Sequence, residues 1–371
     1  MTLALPAFTA TPELDRLYHC DALTLLRALP THSVDLIATD PPYMNIKAHA
    51  WDRQWKTRAD FLVWMDAHLI EMVRVLKPNG SLYLFCWPKL AAHVELLIAA
   101  RMNVLNRITW NKPAFSTKAE MSTKEDLRTY FPTSETLFFA EQYGADGYAL
   151  GESAYARETD KLRGFVFEPL RAYLDGERVR AGVGNTEIMD WFAAKGYPRY
   201  VTARHSFSRS QWELPTRENY ERLRDLFNAK GGDYLRREYD YLRREYDDLR
   251  REFEELRRPF FARPDAPYTD VWEFATVSAY PGKHPTEKPL DMMRHIVTIS
   301  SKPGAVVLDP FAGGGTTLAA AKLEGRQYIG CDLDWTYVQR ARKRIEGGTV
   351  RTRKPRLIPL TQMPLFQEAA S

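Results

Sequence analysis

The stretch Ala305-Val-Val-Leu-Asp-Pro-Phe-Ala-Gly-Gly-Gly-Thr-Thr317 constrains this chain more than any other. A short apolar run that reads as a strand ends at Asp309, three glycines follow, and a helical pattern runs over Thr316–Glu324. Glycines at a strand-to-helix turn let a backbone approach a ligand closely, and the helix N-terminus presents free N–H groups. The pattern is neither GxGxxG nor a lysine-ended phosphate loop. Asp309 would repel a phosphate and suits a cationic group. A further strand, Gln327–Cys331, ends in Asp332, where a carboxylate can accept hydrogen bonds from ribose hydroxyls. A nucleoside bearing a positive group meets these demands, and S-adenosyl-L-methionine is such a molecule. Asp334 reads as the N-cap of a helix starting near Thr336.

Units of the same kind recur in two stretches. In the first, strands are expected at Arg16–Cys20, Val34–Thr39, Ser81–Trp87, Val104–Trp110 and Glu135–Ala140, with helices at Ala22–Leu29, Phe61–Leu76 and Leu90–Ala100. In the second, a helix over Leu290–Ser300 precedes the glycine-loop unit. Repeated strand–helix units predict an α/β fold with a doubly wound, mostly parallel sheet. Polar, arginine-rich text from 144 to 268 interrupts the pattern and reads as a mainly helical insert. The expected organisation is therefore 12–143, the insert 144–268, then 269–348, and a basic tail 349–371.

Within the insert, DYLRREY, DYLRREY, DDLRREF and EELRRPF repeat every seven residues from Asp233 to Phe260. Tyr239, Tyr246 and Phe253 fall at a positions and Leu235, Leu242, Leu249 and Leu256 at d. A helix over 233–260 follows, either solvated and held by i,i+4 pairs or packed as a coiled coil, including one that joins two copies of the chain.

Asp40-Pro-Pro-Tyr43 ends the strand Val34–Thr39, at the sheet edge where open α/β folds bind ligands. Pro41 and Pro42 remove two N–H donors, which leaves carbonyls and the Asp40 carboxylate as acceptors beside the aromatic face of Tyr43. Such a set suits an amino group on a planar ring.

Together these residues resemble the amino-group DNA methyltransferases of the beta arrangement, in order as well as in motif: DPPY first, a target-recognition region next, the FxGxG loop last. Tyr18-His-Cys-Asp-Ala22, Leu76-Lys-Pro-Asn-Gly80, Thr133-Ser-Glu135 and His284-Pro-Thr-Glu-Lys-Pro289 resemble further family stretches. The resemblance implies a Rossmann-like, circularly permuted methyltransferase fold that uses S-adenosyl-L-methionine. It implies that Asp40 and the Pro41 carbonyl hold the target amino group while Tyr43 stacks on a flipped base, with Pro42 completing the motif. Cofactor contacts would come from Asp309, Pro310, Phe311, Gly313, Gly315, Thr316, Thr317 and Asp332, with Asp21, Ala22 and Lys288. Asp40 at the first motif position favours adenine N6; cytosine N4 is the alternative, and a non-catalytic DNA-binding scaffold the rival from another class. No cysteine lies in a motif like that of the cytosine-C5 enzymes.

Double-stranded DNA is the expected partner, with a cognate restriction enzyme as a further one. The acid-free window Trp191–Trp212 carries Lys195, Arg199, Arg204 and Arg209 among aromatics, a patch suited to phosphates and bases. Helices near Thr186–Lys195 and Glu218–Phe227 fit a helix-turn-helix unit. Arg101–Lys118 and the tail arginines offer additional positive charge, and such local clusters matter because net charge over the 371 residues is only +4. A hydrophobic fraction of 44% excludes a disordered chain. Cys20, Cys86 and Cys331 are too few and too scattered for a disulfide framework or a zinc site, so no metal is expected. No apolar run reaches the roughly 20 residues of a membrane span, and the N-terminal text lacks a signal-peptide pattern, so a cytoplasmic protein is expected.

Overall fold

The computed structural model describes residues 8–44, 52–112, 128, 130, 133–142, 162–197, 203–209, 212–262 and 267–347. It divides into two compact units, Met1–Ala149 with Pro259–Ser371, and Leu150–Arg258.

In the first unit the chain runs β1 (Arg16–His19), α1 (Ala22–Ala28), β2 (Val34–Thr39), α2 (Arg58–Val75), β3 (Leu76–Cys86), α3 (Ala91–Ala99), β4 (Asn103–Asn111) and β5 (Ser134–Glu141). After the insert come β6 (Val271–Glu273), α8 (Leu290–Ser300), β7 (Val306–Asp309), α9 (Thr316–Leu323), β8 (Gln327–Asp332) and α10 (Trp335–Ile345). The strands form one sheet in the order β1-β8-β7-β2-β3-β5-β4-β6. All neighbours from β1 to β3 are parallel, β5 runs antiparallel to both β3 and β4, and β6 pairs parallel with β4. The sheet is thus doubly wound and mostly parallel, as expected.

Its central strands are buried on both faces, which is why they read as apolar runs rather than alternations. Val34, Ile37, Leu82 and Leu84 join α1, α2 and α3 in one core layer, whereas Leu36, Ala38, Tyr83 and Phe85 join α8, α9 and α10 in the other. α2 starts at a capping box in which Thr57 and Asp60 satisfy each other's backbone N–H groups.

Two elements differ from expectation. β3 begins at Leu76 rather than after the Lys77-Pro-Asn-Gly80 break, because the pairing with β2 jumps from Val34↔Leu76 to Leu36↔Ser81 and absorbs those residues as a bulge. β6, only three residues long, buries Trp272 and carries no periodicity that a sequence pattern can register.

The second unit is helical: α4 (Glu168–Arg180), α5 (Asn185–Ala194), α6 (Arg217–Asn228) and α7 (Tyr239–Leu256), with a 3₁₀ turn at Ala203–Ser206. Its own core gathers Leu170, Leu174, Phe192, Trp212, Tyr220 and Phe227 around Leu242 and Phe253 of α7. The heptad helix is therefore shorter than the expected 233–260. Leu235 adopts a left-handed conformation (φ 52°) and is buried, its N–H donating to Glu177 Oε2 at 2.8 Å. Tyr239, Leu242 and Phe253 are buried in the same unit, so the apolar seam of the repeat serves intramolecular packing. α5 and α6 occupy the two expected helices, and Thr216 caps α6 through the Asn219 N–H. Among the described residues, no helix is long and apolar enough to cross a membrane.

Candidate active site

β7 and β2 lie side by side, yet the chain leaves β7 toward β8 on one side and β2 toward β3 on the other. Such a switch of winding direction opens a crevice at the carboxyl ends of the two strands. Asp309 and Asp40 sit at those ends, 269 positions apart in sequence (309 minus 40), and Thr39 Oγ1 joins them by donating to Asp309 Oδ1 at 2.7 Å. A small, partly open cleft lies here, walled by Thr39, Asp40, Phe85, Lys288, Asp309, Phe311, Gly313, Thr316 and Thr317, with His284, Thr286, Glu287, Met293, Ala312 and Gly314.

The glycine loop forms one wall. Gly313 and Gly315 have positive φ (47° and 71°). A Cβ on Gly313 would stand 3.0 Å from the His284 ring, and one on Gly315 would stand 2.6 Å from Ala341 Cβ. Gly315 is the N-cap of α9, so the free N–H groups of that helix lie beside the cleft. Arg344 braces the loop from α10, donating to the Gly314 carbonyl at 2.7 Å and to Thr316 Oγ1 at 3.0 Å while pairing with Glu287 at 2.9 Å. Asp332 accepts from Gly313 N and Asp334 N, both at 2.8 Å, and each of its oxygens retains a lone pair. Asp334 caps α10 through Thr336 N at 2.8 Å. Burial pushes the Asp309 carboxyl up to about 6, although Thr317, Thr39 and the Phe311 N–H hydrogen-bond to it. A cation placed beside it would favour its ionised form.

The other wall is a charge cluster. Lys288 Nζ lies 2.6 Å from Asp40 Oδ2, 3.0 Å from Glu135 Oε2 and 3.3 Å from the Tyr43 hydroxyl. Tyr43 donates to Glu135 Oε2 at 3.1 Å, and Lys112 pairs with Oε1 of the same carboxylate. Burial pushes the Asp40 carboxyl up, Lys288 opposes this, and Glu135 adds to it. Burial also acts to raise Glu135, but the two ammonium groups outweigh it and hold that carboxyl at about 2. Lys288 stays charged, because Asp40 and Glu135 more than offset its desolvation. Asp40 Oδ1 is buried and has no hydrogen-bond partner among the described residues. A buried acceptor without a donor is uncommon and marks a place prepared for one.

The structure thus gathers Asp40, Lys288, Asp309, Phe311, Gly313, Thr316 and Thr317 around one cleft. Gly315 and Asp332 support its loop, and Tyr43 is tied to Glu135 with its backbone N–H on Asp52 at 3.0 Å. Pro310 presents its carbonyl to Cys331 Sγ at 3.3 Å. Asp21 caps α1, accepting from Thr24 N at 3.0 Å and from the Thr24 hydroxyl, and neither it nor Ala22 is among the residues that wall this cleft. Glu135 and Lys112 were not expected at the site. Thr133-Ser-Glu135 was visible as a motif, but its place depends on antiparallel pairing that puts Glu135 opposite Trp110 and Thr136 opposite Cys86.

Of the expected DNA contacts, Lys195 is exposed beside Trp191, and Arg209 is exposed with a long 3.6 Å pairing to Glu168. Arg199 lies outside the described residues, as does the side chain of Arg204, which belongs to the 3₁₀ turn. The tail from 348 and residues 113–118 also lie outside them. The described bases of the Arg101–Lys118 window are each paired with a carboxylate. Arg101 pairs with Asp66, Arg107 with Glu95 and Lys112 with Glu135.

The chain matches the DNA methylase family (N6_N4_Mtase) over residues 34–343. The DNA adenine methyltransferase YhdJ of Escherichia coli K12 is 25% identical over 336 residues, covering 90% of this chain and 83% of the relative. The type II methyltransferase M.BglII of Bacillus subtilis is 24% identical over 361 residues, covering 92% and 72%. Among solved structures, the cytosine-N4-specific PvuII DNA methyltransferase aligns with a TM-score of 0.49 at 13% identity, covering 90% of this chain and 87% of that one. With the family matching from β2 to α10, across both walls of the cleft, this chain belongs to the N6/N4 DNA methylases.

Proposed function

We propose that the chain transfers a methyl group from S-adenosyl-L-methionine to the N6 amino group of adenine in double-stranded DNA. The observation that carries this reading is the buried, unpartnered Oδ1 of Asp40 at the mouth of the β7/β2 crevice. It is an acceptor without a donor, followed by two prolines that contribute carbonyls and no N–H groups.

The residues fit the methyl donor. Asp309 and Asp332 give carboxylates for an ammonium and for ribose hydroxyls, and the loop at Gly313 and Gly315 leaves room that a Cβ would fill. S-adenosyl-L-methionine supplies a methyl group on a positively charged sulfur, which an amino nitrogen can take directly. Asp40 Oδ1 accepts one amino hydrogen and the Pro41 carbonyl the other. Holding both favours a pyramidal nitrogen whose lone pair is free of the ring. After transfer the nitrogen carries one proton too many, and Asp40 Oδ1 is the base beside it. Tyr43 offers its ring to a base that has left the duplex. Lys195, Arg199, Arg204 and Arg209 are proposed to meet phosphates, which would position the DNA without reading its sequence. Asp40 and the name of the E. coli relative favour adenine over cytosine.

Incubating the purified chain with unmethylated genomic DNA and methyl-labelled S-adenosyl-L-methionine tests the reaction. Label should enter the DNA with the wild type and not with Asp40→Ala. No label from a folded wild type that has been shown to bind the cofactor would end this reading.

A further inference from the structure

Asp309 is fixed by Thr39 and by the Phe311 N–H, both from its own sheet edge. Asp40 is hydrogen-bonded by Tyr43 from its own loop, and the charged partner that meets it is Lys288, whose Nζ lies 2.6 Å from Oδ2. We propose that Lys288 is a positioning residue for the acceptor: bridging Asp40 and Glu135, its ammonium grips Oδ2 and leaves Oδ1 as the oxygen that receives the target amino hydrogen. The inference rests on the amino-methylation reading above and assigns Lys288 to the acceptor rather than to the cofactor.

Donor arithmetic supports the assignment. An ammonium has three N–H donors, and Lys288 meets three oxygens, Asp40 Oδ2 at 2.6 Å, Glu135 Oε2 at 3.0 Å and Tyr43 OH at 3.3 Å. None remains for a cofactor atom. The Lys288 side chain is only 7% exposed, and the rings of Phe85, Tyr43 and Trp110 stand 4.7, 5.4 and 6.0 Å from its nitrogen. Such a wall restricts the ammonium to this position. Lys112 takes the outer oxygen of Glu135, so two ammonium groups and two carboxylates form one chain without net charge.

Removing Lys288 would leave a different balance. Asp40 would face Glu135 from β5, Tyr43 from its own loop, Cys86 from β3 and Asp309 from β7, with Lys112, just past β4, pairing with Glu135. Burial and the neighbouring carboxylates would then favour the protonated acid, which cannot accept from an amino group with the same strength. Removing Glu135 acts in the opposite sense, because it deletes a repulsion and leaves Lys288 to Asp40.

The test is a titration of the cofactor-free full chain labelled at the aspartate carboxyl carbons, with Asp40→Asn identifying the resonance. In Lys288→Met the Asp40 transition should move upward by about one pH unit or more, in Glu135→Gln it should move downward, and in Lys288→Arg it should stay near the wild type. The acid limb of single-turnover methyl transfer should follow the same shifts, while cofactor affinity changes by less than about twofold, well under the tenfold that 1.4 kcal/mol represents. An unmoved transition in Lys288→Met, shifts of one sign in both variants, or cofactor affinity falling in step with the rate would overturn the proposal. Should Lys288→Met not fold, Glu135→Gln decides by itself, a downward shift supporting the bridge and an unmoved one refuting it. If the wild type transfers no methyl group to DNA, the function proposed above fails, and the titration still decides whether Lys288 sets the state of Asp40.

Discussion

Replacing Gly315 by alanine should destabilise the first unit by about 2–5 kcal/mol, and the figure can be built from two terms. Gly315 has φ 71°, a left-handed conformation that costs an L residue about 1–2 kcal/mol. Its new Cβ would lie 2.6 Å from Ala341 Cβ and 3.2 Å from Ala341 Cα, and forcing a methyl group into such a contact costs about 1–3 kcal/mol. Gly325 is the control. It has the same φ of 71° in the same unit, but nothing within 4 Å of where its Cβ would stand, so Gly325→Ala should show only the first term. Ala341→Gly combined with Gly315→Ala should recover part of the second term, because it removes the nearer atom and leaves the Cα. Urea denaturation of these three variants and of Ala341→Gly alone measures these differences, and calorimetric titration with S-adenosyl-L-methionine should show affinity lost in Gly315→Ala alone among the single variants. Equal destabilisation of Gly315→Ala and Gly325→Ala, or no recovery in the double variant, would refute the claim that close packing of α10 on the loop sets this glycine.

Three other outcomes follow from the same geometry. Burial raises the Asp309 carboxyl from 3.8 to about 6, so the folded chain binds that proton more tightly than the unfolded one and loses stability as pH rises through this window, by about 3 kcal/mol at pH 7. Asp309→Asn should abolish that slope and be at least as stable as the wild type at pH 7, yet bind S-adenosyl-L-methionine more weakly; denaturation at pH 4 and pH 7 with calorimetric titration reads both. Leu242→Ala should cost the insert about 2–5 kcal/mol, seen in denaturant unfolding, with no change of mass in sedimentation, since Leu242 is fully buried in the core of that unit. Arg344→Met removes the donors to the Gly314 carbonyl and Thr316 and should weaken cofactor affinity about tenfold, as titration of the folded variant would report.

Sequence pattern revealed most of the first unit because its central strands are buried on both faces and each ends at a residue with chemical meaning. Val34–Thr39 and Leu290–Ser300 have the expected limits. The missed parts depend on long-range pairing. Glu135 and Lys112 come to the site only through the antiparallel register of β5 with β3 and β4, and no local property of Thr133-Ser-Glu135 encodes that register. Asp21, a cofactor contact by resemblance, also caps the helix that follows it, a role that Thr24 three residues on completes. The heptads likewise specify an apolar stripe without specifying what covers it. Here α4 to α6 do so, and the left-handed Leu235 lies ahead of the helix, which starts only at Tyr239.

The most direct test of adenine N6 methylation at the Asp40 acceptor is nucleoside mass spectrometry of DNA from cells that express the chain. N6-methyladenine should be present with the wild type and absent with Asp40→Ala at equal protein level. N4-methylcytosine in its place, or N6-methyladenine that persists in the Asp40→Ala cells, would contradict it.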